Sequence, residues 1–180
     1  FLDELNACSQ EVQKAFYSLI LDRRIGEFTL PEGSIVIGAG NRMEDAAITR
    51  PLSSALINRL VHVQLRASAR DWLEWAGQSG VHELVVSYIS NRSDHLWSKP
   101  PKHEEPFSTP RAWDMLSKAI AAYGPSITID DIKVLASGLL TPAHAQQLVA
   151  FARLRERQHD LSAILRGERR WPDKPEERDI

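Results

Sequence analysis

The sequence predicts an α/β segment followed by an all-helical one. Three observations carry this. Short apolar runs bounded by turn residues recur as far as Leu65, the signature of strands. Beyond Leu65 no such run follows, and apolar residues return at spacings of three and four, the period of a helix with one buried face. At 180 residues and 43% hydrophobic, the chain has enough apolar material for one or two cores.

Phe1-Leu2-Asp3-Glu4-Leu5-Asn6 reads as the end of a buried strand with two acids at its tip. Adjacent carboxylates there suit a nucleotide hydrolase: one holds Mg²⁺ through a water and the other polarises the attacking water. The same residues also suit a solvated helix start, where the dipole favours acids. Ser9 caps a predicted helix over 9–21, with Val12, Ala15, Phe16, Leu19 and Ile20 on one face. Residues 25–37 predict a hairpin, with a strand over Ile25–Leu30, a turn at Pro31-Glu32-Gly33, and a run Ser34–Gly38 that reads as a strand covered on both faces. Asn41 follows at its carboxyl end, where parallel sheets bind ligands; a turn Asn after Gly is the alternative.

Pro51–Arg59 predicts a short helix capped by Ser53 or Ser54. Arg59 closes it, and a cation is favourable there in any case. Val61-His62-Val63-Gln64-Leu65 alternates as a strand does. His62 lacks a second ligand at a suitable spacing and reads as an edge or interface residue.

Ser68 then caps a helix carrying Trp72, Leu73 and Ala76, and Val81, Leu84, Val85, Tyr88 and Ile89 form the next apolar face. A polar loop, Ser93 to Phe107, holds Pro100, Pro101 and Pro106. Thr109-Pro110 opens a helix as cap plus first-turn proline, with Trp113, Leu116, Ala119, Ile120 and Tyr123 facing in and Gly124-Pro125 ending it. Arg111 in its first turn opposes the helix dipole at about a few tenths of a kcal/mol. A bound anion relieves that conflict, and a surface arginine tolerates it. Asp130 and Asp131 lead a helix with Ile132, Leu135, Ala136 and Leu139 inside, and Thr141-Pro142 starts the last clear one, bearing Leu148, Phe151 and Leu154. Residues 155–180 are highly charged, with a weak helix at Leu161, Ile164 and Leu165 and a disordered end expected from Trp171.

Composition narrows the function. The net charge of −2 shows no basic excess and disfavours nucleic acid as the main ligand. A single cysteine, Cys8, excludes an internal disulfide and any multi-cysteine metal site. No apolar run has membrane-spanning length, and a cytoplasmic location is expected.

Four phrases in this order resemble the second half of an AAA+ ATPase core, most nearly the MoxR branch: Phe1–Asn6, Ile37-Gly38-Ala39-Gly40-Asn41-Arg42, Leu52–Leu60, and Thr109-Pro110-Arg111-Ala112. The resemblance covers about residues 1–155. It implies a partial P-loop NTPase parallel sheet over 1–66, a helical lid over 67–157 and a charged tail over 158–180. By resemblance, Asp3 and Glu4 are the Walker B acids, with Asp3 on Mg²⁺ through water and Glu4 activating water. Asn41 is sensor 1, Arg59 an arginine finger reaching a neighbouring subunit's ATP, and Arg111 the sensor 2 of the lid. The hairpin near 25–33 resembles the pre-sensor-1 insertion. The implied protein is an ATP- and Mg²⁺-dependent, chaperone-like remodeller, a homo-oligomeric and hexameric ring, with a von Willebrand factor A domain protein as a common partner in the family.

The departure is the phosphate loop. No G-x-x-x-x-G-K-[ST] occurs; Gly33 and Gly38 have the spacing, but Ala39 stands where lysine is required. The chain is therefore expected to be a piece of a longer protein whose loop lies upstream, and to be inactive alone. Two other readings stand beside this one. The first is a non-catalytic helical interaction module, with Trp72, Trp75, Trp97 and Trp113 in cores or an interface. The second is a DNA-handling AAA+ motor contacting nucleic acid through Arg23-Arg24-Ile25.

Overall fold

The computed structural model describes residues 1–41, 49–157 and 166–167. The fold is mostly helical, and the chain divides into two compact units, Phe1–Leu65 and Arg66–Ile180.

In the first unit, helix α1 spans Gln10–Leu21 and is capped by the Ser9 side chain, which accepts from the Val12 N–H. Its inward residues are Leu19 and Gln13, whereas Val12 and Ala15 of the predicted face are exposed. Strands β1 (Arg24–Ile25) and β2 (Phe28–Thr29) pair antiparallel. The single strand expected over Ile25–Leu30 is thus itself a folded hairpin. Gly26, at φ 56°, supplies the left-handed residue that the tight reversal needs. A second reversal does fall at Pro31–Gly33, where the Ser34 N–H donates to the Pro31 carbonyl. Helix α2, Ser54–Ile57, is capped by Ser53 and buries Leu56.

The expected parallel sheet is not formed among the described residues. Ser34–Gly38 and the opening stretch share one parallel bridge, Leu2 with Gly38. Ile35 is 82% exposed, so this run is not covered on both faces. Val61–Leu65 forms no strand either, and Val61 is 94% exposed. Alternation gives a segment strand character, but only a neighbouring strand can satisfy its backbone.

Among the described residues the second unit forms helices and no strand. Helices α3 (Ala69–Gln78), α4 (Glu83–Asn91), α5 (Pro110–Tyr123), α6 (Ile129–Leu139) and α7 (Pro142–Arg157) surround one core. Helix α6 packs on α5 and α7, and α4 packs on α3 and α7. Trp113 is fully buried beside Tyr88, with ring centroids 5.4 Å apart, and Tyr88 also meets Phe151 edge-on. Ser68, Thr109 and Thr128 cap α3, α5 and α6. At Thr128 the Asp131 carboxylate returns the bond to the cap N–H, completing a capping box. These bonds, led by the one from the Thr128 hydroxyl, hold the Asp131 carboxyl below its ordinary range. Two expected inward residues stay outside, Tyr123 at 51% and Leu154 at 62% exposed. The loop after α4 opens with a 3₁₀ turn, Ser93–Leu96. No helix of the described residues is long and apolar enough to cross a membrane. The expected tail helix at Leu161, Ile164 and Leu165, and the end from Trp171, lie outside the described residues.

This packing sets a measurable contrast. Leu116→Ala, at a fully buried position, is expected to lower stability by about 2–5 kcal/mol in a denaturant titration, and Leu154→Ala by no more than about 0.5 kcal/mol. Thr109→Ala should cost about 1 kcal/mol through loss of the α5 cap.

Candidate functional site

The opening stretch and residues 37–41 run side by side in the same direction. The Leu2 N–H donates to the Ile37 carbonyl, the Ala39 N–H to Leu2, and the Leu5 N–H to Ala39, each at 2.8 Å. Asn6 continues the pairing with its side chain: its amide donates to the Asn41 carbonyl at 2.6 Å and accepts from the Asn41 N–H at 3.0 Å. An amide thus extends the ladder at the point where the backbone strand has ended.

Two glycines face this approach. A Cβ on Gly40 would lie 2.5 Å from Asn6 Oδ1, and one on Gly38 would lie 2.9 Å from Leu5 Cδ2. Both are well inside van der Waals contact. Gly40 therefore serves the close contact between segments rather than an unusual backbone angle, whereas at Gly38 a side chain would have to displace only the terminal methyl of Leu5.

Asp3 and Glu4 occupy a turn at the carboxyl end of this pairing, the same end as Asn41, and both are exposed. Strand character ends at Leu2, earlier than the sequence suggests. Asp3 Oδ1 accepts the Glu4 N–H at 2.9 Å. Glu4 adopts φ 53°, a conformation that costs a residue with a side chain about 1–3 kcal/mol. The turn closes with the Ala7 N–H on the Glu4 carbonyl.

Arg59 follows α2. Its guanidinium donates to the Ala55 carbonyl at 2.8 Å and lies 5.2 Å from the centre of the Tyr17 ring on α1. The first contact is that of a cation on the last carbonyls of a helix, and the second is a cation–π contact. Asn41 and Arg59 line one cleft of about 690 Å³ in the first unit, together with Leu2, Leu5, Asn6 and His62. Asp3 and Glu4 are not among its lining residues. His62 turns onto its own chain, its Nε2–H donating to the Ile57 carbonyl at 2.9 Å. Arg42, next to Asn41 in the sequence phrase, lies outside the described residues.

Arg111 belongs to the second unit. It sits exposed in the first turn of α5, after the capping Thr109 and Pro110. It makes no hydrogen bond or ion pair with the described residues. Among the described residues no three His, Cys, Asp or Glu side chains converge as a metal cage. A lone exposed Asp3 with one carboxylate oxygen engaged fits outer-sphere contact with a hydrated Mg²⁺, which keeps several waters and takes the rest of its ligands from phosphates.

Three residues with positioning roles were not assigned one from sequence: Asn6, Gly40 and Tyr17. Asn6 stood inside a matching phrase, but its partner is thirty-five positions away. Nothing local indicates that pairing.

Compared with family models, with curated proteins and with solved structures, the chain gives no match.

The clamp can be tested directly. Asn6→Ala and Gly40→Ala are each expected to raise amide hydrogen exchange at Asn41 and Ala39 at least tenfold, while α5 and α7 amides stay unchanged. Unaltered exchange at Asn41 in both variants would remove Asn6 as its support.

Proposed function

We propose that this chain is the Walker B-to-lid portion of a MoxR-type AAA+ ATPase, a ring-forming, chaperone-like remodelling protein. One observation carries the reading: the parallel contact between residues 2–5 and 37–41, with Asn6 bridging to Asn41. It supports a common rim for the acid pair and the asparagine, as a triphosphate pocket requires. The four key phrases of the sequence add their order to this.

In this reading Glu4 takes up the proton of the attacking water, and Asn41 orients that water or the γ-phosphate. Asp3 holds the water shell of Mg²⁺, which when bound supplies charge neutralisation at the phosphates. Arg59 serves the nucleotide of a neighbouring protomer, and Arg111 that of its own. Phosphoryl transfer depends on positioning and charge neutralisation more than on covalent chemistry, so a pocket dispersed over separate segments suffices once assembly brings them together. A von Willebrand factor A domain partner is part of the same proposal. The phosphate cradle must come from a segment with a G-x-x-x-x-G-K-[ST] loop, which this sequence does not contain.

The interaction-module reading draws on Trp75 and Trp97, which are 44% and 40% exposed. The DNA reading draws on Arg23 and Arg24, which are exposed and donate to the Ser34 and Gly26 carbonyls.

By calorimetry, this chain alone is expected to show no micromolar ATP binding. With a phosphate loop restored in a longer chain, Glu4→Gln should lower turnover by about 10²–10⁴. Arg59→Ala should lower it by about 10³–10⁵, and only where protomers assemble. Unchanged turnover in both variants overturns the assignment, and absence of ATPase in the longer chain favours the interaction module.

A further inference from the structure

The second unit holds a stacked histidine pair, one ring buried and the other half-buried. The rings of His95 and His144 lie 4.0 Å apart at 13°, and His95 is 5% exposed. From α4, Tyr88 places its hydroxyl 2.7 Å from His95 Nδ1. Arg92 places Nη2 2.7 Å from His95 Nε2. Asp94 lies 3.4 Å from the same nitrogen but is 66% exposed, so solvent screens it. On α7, His144 Nδ1 meets the Ser108 hydroxyl at 2.7 Å, and Gln147 accepts from Arg92. The α5 side contributes Trp113, whose indole N–H donates to the His95 carbonyl.

Ser108 is fully buried and closes the neck of the loop before α5. Its N–H donates to Ser98 Oγ and Thr141 Oγ1, its carbonyl accepts from the Ser98 N–H, and its hydroxyl accepts from the Thr141 N–H. A Ser–His pair of this length invites comparison with a nucleophile and its base. Here the hydroxyl is sealed from solvent and already accepts a bond from Thr141, so the pair is a fastening rather than a reactive centre.

Hydrogen-bond arithmetic fixes the protonation state. Arg92 only donates, so His95 Nε2 must accept and the ring must be neutral, with its proton on Nδ1 toward Tyr88. With His144 Nδ1 unprotonated, the Ser108 hydroxyl donates to it while its oxygen takes the Thr141 N–H. A proton added to His95 sets N–H against N–H at Arg92. A proton added to His144 leaves the buried Ser108 proton without an acceptor among these groups. Two charged rings at stacking distance would repel. Burial holds both histidines below their ordinary range, opposed by the Asp94 carboxylate and aided by the Arg92 guanidinium, and burial pushes the Tyr88 phenol up to about 12.

We propose that the His95–His144 stack is an acid-released latch that fastens the Ser98–Ser108 loop neck and the start of α5 to the start of α7. This holds whether or not the nucleotide reading is right. The folded state carries these histidines neutral, and the unfolded chain protonates them near their ordinary value of about 6.5. The latch's contribution to stability is therefore complete above about pH 6.5. It is lost as pH falls from there toward the depressed folded values.

The test is thermal and denaturant unfolding of the full chain from pH 8 to pH 4.5. The unfolded-to-folded ratio should rise below pH 6.5 by up to about tenfold per pH unit for each proton, hence up to about a hundredfold for the pair. His144→Gln keeps an acceptor for Ser108 and removes one titrating ring, so its slope should fall by about one proton. In parallel, NMR titration of the unsubstituted chain should show the His95 and His144 ring signals titrating below the ordinary imidazole value of about 6.5. Hydrogen exchange at Ser108 and Thr141 should rise before exchange at Ile132 and Ala136. A flat stability profile between pH 7 and pH 5, or His95 and His144 titrating at or above the ordinary imidazole value of about 6.5, overturns the latch.

Discussion

The first unit depends on a missing side chain. Residues 2–6 and 37–41 touch because Gly40 leaves room for Asn6. Close approach allows the backbone pairing, the pairing aligns two carboxyl ends, and Asn6 then locks the second end by bonding both polar groups of the Asn41 backbone. The amide is suited to this because it carries a donor and an acceptor on one planar group, as a peptide unit does. An aspartate at position 6 could accept but not donate, and a leucine could do neither. The exposed acids of the neighbouring turn are thereby held by backbone geometry, with little help from packing. This differs from the second unit, where buried apolar surface fixes the helices and polar groups are tied to one another inside.

That inner network solves a problem created by the loop before α5. A long connection brings backbone polar groups against a core, and each must find a partner or incur a desolvation cost. Ser98, Ser108 and Thr141 meet this need with hydroxyls, each able to donate and accept. His95 does so by offering its own carbonyl to Trp113 while its ring joins Tyr88 and Arg92. The result rigidifies the first turn of α5, where Thr109 caps and Arg111 projects. A network of this type is sensitive to a single added proton because the His95 ring nitrogen facing Arg92, a group that only donates, must accept.

Helix starts were legible in the sequence because their causes are local. Ser9, Ser53, Ser68 and Thr109 cap where a hydroxyl precedes a helical period, and Trp113, Leu116 and Ile120 are buried as their spacing indicates. The strands were less legible, since pairing is a property of two segments. Val61–Leu65 has the alternation of a strand and forms none, and the Ile25–Leu30 run folds back on itself at Gly26. Along α1 the period was read correctly while its face was displaced, so that Gln13 is buried and Val12 is not. Of the candidate site, the acid pair and Asn41 were legible as separate phrases. Asn6, Tyr17 and the His95–His144 stack were not, because their partners lie tens of residues away and no short-range pattern links them.

The candidate site groups differ in what they must give up to meet a phosphate. Asp3 already accepts from the Glu4 N–H but keeps a free oxygen, so a hydrated cation could be met without breaking that bond. Asn41 is held through its backbone, and its side-chain amide makes no hydrogen bond with the described residues. Arg59 is committed twice, to the Ala55 carbonyl and to the Tyr17 ring. An arriving phosphate must exceed both contacts, each modest at an exposed position. A charge-assisted, bidentate arginine–phosphate pair is the stronger interaction once water is excluded. The exchange is therefore favourable at a closed interface and weak on an open surface. This is the behaviour required of an arginine that should act only when a neighbouring protomer is present. Arg111 has no such partner to leave among the described residues and opposes the dipole of its own helix. An anion at the α5 start would relieve an existing conflict instead of replacing a bond. Under the proposed nucleotide reading, the two arginines would answer to different triggers, one to assembly and the other to the nucleotide itself.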